Sequence, residues 1–148
     1  MEYEIDDLDR QIIHLLSKDG RRTFADIANR LQVTEKTIRS RYRNLIERGI
    51  LNVVGVINPI AVGLKAGAII FIKATPAKIA NVITRLKEIN KIRYITLVSG
   101  EYPILVQIAV PDQEEIVAVL QEIGKIPEVC EYHSIVQLEV YKNTFEYI

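Results

Sequence analysis

Leu86–Ile92 reads LKEINKI and Leu120–Ile126 reads LQEIGKI, identical at five of seven positions and 34 residues apart. No other feature constrains the fold as much. Each run closes a helical pattern opened by a proline, Pro76 or Pro111, and each precedes a strand-like segment. Upstream of the two lie the β-branched runs AIIFIKA (68–74) and ILVQIAV (104–110). The order predicts strand 66–74, helix 76–89 and strand 92–98, then strand 103–110, helix 112–124 and strand 129–141. Strand–helix–strand written twice is the split, ferredoxin-like βαββαβ pattern. Parallel pairing around each helix is expected to give a four-stranded sheet with both helices on one face. Ile69 to Ile72 are contiguous apolar residues, as in strands covered on both sides. The face without helices then needs a second chain, which predicts a homodimer through the sheets.

The first fifty residues carry a different period. Leu8, Ile12, Leu15 and Leu16 share one helical face behind an Asp6 or Asp7 cap, and Asp19-Gly20 stops that helix. Thr23 caps a second helix, whose inner face is Ile27, Ala28 and Leu31. After the short turn at Gln32-Val33, Thr34 caps a third helix with Ile38, Tyr42, Leu45 and Ile46 inward, and Gly49 ends it. Two helices joined by so short a turn read as a helix-turn-helix. Such turns often place Gly where Gln32 stands, so a left-handed Gln32 would cost about 1 kcal/mol. Ile50 to Pro59 is β-branched and reads as a strand leaving this unit, followed by a hinge around Ile60 to Gly67. The expected division is a helix-turn-helix domain over 1–50, a strand and hinge linker over 51–65, and a ferredoxin-like domain over 66–148.

Charge decides what the helical unit is for. The chain as a whole has net charge zero, but residues 18–48 hold nine Lys or Arg against four acids. A local positive patch, not the total, attracts a phosphate backbone. At about 100° per residue, Lys36, Ser40 and Arg43 lie opposite the Ile38–Leu45 face, flanked by Thr37 and Arg39. Arg and Lys pair with guanine edges, and Ser and Thr with several bases. Arg21, Arg22 and the cap residue Thr34 are placed to meet DNA near the helix starts, the two arginines at phosphates. Arg41 lies nearer the core edge and reads as an internal ion-pair or phosphate residue. A solvated basic helix face is the plainer reading of the same residues.

Between the two halves of the repeat lies VSGEYP, Val98 to Pro103. On spacing alone it is a turn between strands, with Pro103 starting the next one.

Taken together, these residues resemble the Lrp/AsnC family of transcription regulators, the feast/famine regulatory proteins. IDDLDRQIIHLLSKDGR is similar to the family's opening helix, and TFADIANRLQVTEKTIRSRYRNLIERGIL to its helix-turn-helix. Arg41, Arg43, Leu45 and Gly49 carry the end of that likeness. The repeat is similar to the family's effector-binding domain, called RAM. The resemblance implies an α+β chain in which a winged-helix-like helix-turn-helix domain precedes a ferredoxin-like βαββαβ (RAM) domain. It implies double-stranded DNA as partner, homodimers that assemble further into octamers, and amino acids as effectors at contacts between dimers. By that likeness the effector loop is Ser99, Gly100, Glu101, Tyr102 and Pro103. The family usually has Gly, two variable residues and an acid, and Pro103 stands where the acid would be. Tyr132 and Ser134 stand where the family often has hydroxyls in its last strand.

Other chemistry finds little support. The opening MEYEIDDLDR is acidic, so no signal peptide is expected, and no apolar run approaches the roughly 20 residues of a membrane span. A single Cys suits a reducing cytoplasm. His133 lies three residues after Cys130, with no CxxC or HxxxH spacing to complete a metal site. No phosphate-binding or nucleophile motif is present, so no cofactor, metal or catalytic residue is expected. Glu114 and Glu115 at a helix start favour the dipole rather than catalysis. The expected function is therefore a cytoplasmic, sequence-specific DNA-binding regulator. A ligand-independent adaptor of the same fold and a small-molecule enzyme built on the ferredoxin-like half are the alternatives.

Overall fold

The computed structural model describes residues 4–143. The chain divides into a helical unit up to Val56 and a sheet unit from Ile57 to Tyr141.

The helical unit contains α1 (Asp7–Lys18), α2 (Phe24–Leu31) and α3 (Glu35–Glu47). Each start is fixed by a side chain that accepts a free backbone N–H: Asp6 from Asp9, Thr23 from Asp26 and Thr34 from Thr37. Asp9 returns the favour at the Asp6 N–H, completing a capping box. Gln32 does take the left-handed conformation, at φ 55° and ψ 42°, and its side-chain amide donates to the Asn29 carbonyl at 2.8 Å. Gly49, at φ 67°, turns the chain out of α3. Ile12, Leu16, Ile27, Ala28, Ile38 and Leu45 form the core, with Phe24, Tyr42, Ile50 and Leu51 packed on it.

The sheet unit contains β1 (Ala66–Ala74), α4 (Ile79–Lys87), β2 (Ile92–Leu97), β3 (Ile104–Val110), α5 (Gln113–Gly124) and β4 (Val129–Gln137). Pro76–Lys78 form a 3-10 turn ahead of α4, so the proline-led start is tighter than a regular helix. The strand order is β2-β3-β1-β4. Every neighbouring pair is antiparallel, which corrects the expectation of parallel pairing around each helix. Strands β1 and β2 do run the same way, but β3 lies between them. Each split unit leaves a one-strand gap that the other half fills.

Burial alternates strictly along β3 and along most of β1. Ala68, Ile70, Ile72, Ile104, Val106 and Ile108 face the helices and pack on Val82, Leu86, Val119 and Ile123. Ile69, Phe71, Leu105 and Gln107 point to the opposite, open face and are only half-buried.

Two predicted strands differ. Residues 51–58 form no strand within the chain, and Val54, Val56 and Ile57 are exposed. This β-branched run pairs with none of the four strands, and propensity alone does not make a strand. Strand β4 stops at Gln137 rather than 141, because Gln137 pairs with Gly67 and β1 begins one residue earlier.

Candidate nucleic-acid interface and ligand loop

A three-residue turn, Gln32 to Thr34, separates α2 from α3. On α3, Lys36, Ser40 and Arg43 stand exposed, with no ion pair among the described residues. They form one solvent-facing strip opposite buried Ile38 and Leu45. Arg39, expected beside them, is held instead. Its Nη2 donates to Glu35 Oε1 at 2.7 Å, and its guanidinium lies 5.1 Å from the centre of the Phe24 ring. Thr37 and Thr34 share a hydrogen bond between their hydroxyls at 2.8 Å, so both serve the helix start.

The phosphate pair divides in the same way. Arg21 is exposed, and its backbone N–H is fixed by Asp19 Oδ1 at 3.0 Å. Arg22 is drawn inward to Asp26 at 2.7 Å, with one-fifth of its side chain exposed. Asp26 also binds Arg30 at 3.0 Å, and hydrogen bonds from Arg22 and then Arg30 hold its carboxyl below the usual range. Arg41 is an internal clamp: Nη1 lies 2.5 Å from Asp6 Oδ2 and 3.3 Å from Asp9 Oδ2. Asp9 is fully buried, which helical periodicity did not single out. The available signal was its spacing of three from the Asp6 cap.

In the sheet unit, the loop from Val98 to Pro103 joins β2 to β3. Gly100 has φ 114°, a conformation open to glycine, and the Val98 N–H donates to the Pro103 carbonyl at 2.9 Å. Pro103 thus serves the loop neck through its carbonyl. Ser99 is exposed. Glu101 accepts from Lys73 Nζ at 2.6 Å, and the Tyr102 hydroxyl donates to Glu131 Oε1 at 2.9 Å. The Tyr102 ring stands edge-on to His133 at 4.7 Å, and His133 stacks on Phe71 at 4.8 Å. All these groups lie on the open face.

Tyr132 and Ser134 do not. They pair with Ile72 and Ile70, whose side chains face the helices. The Tyr132 hydroxyl sits 3.2 Å from where a Cβ on Gly124 would be. Within one chain the seven expected effector residues therefore fall on two sides of the sheet. The missing information was the face onto which the loop folds, which depends on register and not on strand parity.

Among the described residues, no group of three His, Cys, Asp or Glu side chains is placed to hold a metal ion. No helix among them is long and apolar enough to cross a membrane.

Comparison with known proteins agrees with this layout. Residues 5–46 match the AsnC-type helix-turn-helix domain, and residues 67–147 match the Lrp/AsnC ligand binding domain. The HTH-type transcriptional regulator FL11 of Pyrococcus abyssi is 33% identical over 147 residues, covering 99% of this chain and 97% of its own. The HTH-type transcriptional regulator LrpA of Pyrococcus horikoshii is 34% identical over 140 residues, covering 93% of this chain and 99% of its own. Among solved structures, a feast or famine regulatory protein from M. tuberculosis complexed with L-methionine superposes with a TM-score of 0.90. It is 27% identical and covers 98% of this chain and 99% of its own. With both domain matches in order along nearly its whole length, the chain belongs to the Lrp/AsnC family and is a transcriptional regulator with a helix-turn-helix DNA-binding domain and a ligand-binding domain.

Proposed function

We propose that the protein reads a specific duplex sequence with α3, as a homodimer, and that a small amino-acid-like effector at the ligand domain changes its DNA affinity. One observation carries the DNA half of this reading: Lys36, Ser40 and Arg43 form an exposed strip on a helix whose other cations are already paired. An exposed Arg can make a bidentate contact to guanine, and a Ser accepts several bases. Arg21 supplies a phosphate contact, while Arg22 and Arg39 brace the reading head and reach DNA only by leaving Asp26 and Glu35.

Ile69, Phe71 and Leu105 on the open face, with Ile135 at 54% exposure, favour a two-fold contact between sheets. Two α3 helices would then address half-sites about 34–36 Å apart or a multiple of that. Octamers follow if dimers associate further. The related protein carrying L-methionine supports an amino acid as the effector class. The relatives' names as transcriptional regulators support a non-catalytic role.

Titration of the full chain against duplexes from its own upstream region and against scrambled duplexes tests the reading. Specific binding is expected to be at least about 1,000-fold tighter. Equal affinity for all duplexes would contradict it. A thermal-shift screen of the amino acids tests the effector half, and no stabilisation by any of them at millimolar concentration would remove it.

A further inference from the structure

Lys73 lies near the end of β1 on the open face; two loop groups meet its ammonium, and a second acid stands opposite it on the neighbouring strand. Glu101 Oε1 is 2.6 Å away, the centre of the Tyr102 ring is 5.8 Å away, and Glu131 is its cross-strand partner on β4. The loop reaches this position by crossing the sheet. It leaves from the β2–β3 side, passes over β1 and ties to β4 through the Tyr102–Glu131 hydrogen bond and the Tyr102–His133 contact. The left-handed Gly100 makes the bend.

An aromatic face flanked by two carboxylates is the chemistry that holds a primary ammonium: cation–π attraction from the ring and charge-assisted N–H donation to the acids. A lone exposed Lys–Glu pair would have no such meaning. Here the ring and Glu101 converge on one amine, the Tyr102 hydroxyl holds Glu131 beside them, His133 braces the ring, and the chain itself supplies the amine.

We propose that Lys73 is a tethered ammonium ligand occupying a primary-ammonium cradle formed by Glu101, Tyr102 and Glu131, so that the loop is strapped onto the sheet before any effector arrives. This deepens the ligand-loop reading above and rests on it. An external amine must compete with an intramolecular one, whose effective concentration is on the order of millimolar or higher. The loop is therefore closed by default, and ligands without a further contact are excluded. Alkylammonium ions and the α-ammonium of amino acids share the chemistry that the cradle recognises.

The test uses the full chain with Lys73→Ala, probed with propylammonium chloride and, at equal ionic strength, tetramethylammonium chloride, which has no N–H donor. The readouts are the Gly100 amide and Tyr102 ring signals by NMR. In Lys73→Ala both signals should move away from their wild-type positions. Propylammonium should return them saturably, with a midpoint of about 1–10 mM. Tetramethylammonium should not, and the wild-type chain should respond to neither. Adding Glu101→Gln to Lys73→Ala should abolish the rescue. The proposal is overturned if Lys73→Ala ignores propylammonium, if wild type responds at the same concentration, or if both cations act alike. These signals are local to the loop, so a chain that fails to bind DNA specifically contradicts the proposed function without moving them.

Discussion

Gln32 is where local chemistry and the fold disagree. The turn between α2 and α3 demands a left-handed residue, and Gln pays for it with only one side-chain bond to Asn29. Replacing Gln32 with Gly should raise stability by about 0.5–1 kcal/mol in urea unfolding, since relief of the left-handed strain exceeds the lost bond; a loss of stability would mean the bond matters more. Glu101 offers a second residue-scale check. Its carboxyl is held below the usual 4.5, chiefly by the hydrogen bond from Lys73. A lowered folded value means the contribution is complete above about 4.5 and disappears as pH falls through the folded value. The Gly100 amide signal should therefore show a transition below 4.5 that Glu101→Gln removes. Residue chemistry was partly legible in advance. The Thr23, Thr34 and Asp6 caps follow from residue type next to an apolar period. The pairs Arg22–Asp26 and Arg39–Glu35 have a spacing of four and were legible too, but counting charges treats those arginines as free.

At the scale of elements, the Arg41 clamp joins α3 to the start of α1. Arg41→Ala removes one partner from buried Asp9 and one from Asp6. It should cost about 1–3 kcal/mol of stability, and weaken DNA binding only as far as α3 shifts. Gly67 has a comparable role in the sheet. A Cβ there would meet Gln137 Oε1 at 2.8 Å and the Ile108 carbonyl at 3.2 Å. Gly67→Ala should therefore disturb the Gln107–Gln137 hydrogen bond, now 3.2 Å, and lower the melting temperature. A Tm unchanged in that variant would show that the strands part freely. The two heptads LKEINKI and LQEIGKI located both helices, because each ends a helix on buried Leu86 or Ile123. They did not reveal that Lys91, in the first, reaches across to Glu115 at the start of α5. Nor did they fix strand ends, which register decides: β4 ends opposite Gly67, one residue from the start of β1, and 51–58 stays unpaired within the chain.

For the whole molecule, one face of the sheet is packed by α4 and α5, and the other leaves Ile135 and Tyr94 more than half exposed. Sedimentation equilibrium should give at least twice the 16.9 kDa chain mass, and a charge placed at Ile69 should reduce it towards the monomer. A mass of one chain in the wild type would remove the sheet-to-sheet contact. Fold and family were legible because two motifs of different period follow in order. The composition of the ligand loop's surroundings was not, since it required a hairpin to cross a sheet. The central claim is that α3 reads DNA through an exposed strip while Arg21 contacts phosphate. Titrating wild type, Arg43→Ala and Arg21→Ala against the specific and scrambled duplexes over a range of salt tests it most directly. Arg43→Ala should lose about 1–3 kcal/mol on the specific duplex only, and Arg21→Ala should weaken both alike and flatten the salt slope. Unchanged affinity and base preference in Arg43→Ala would contradict the account.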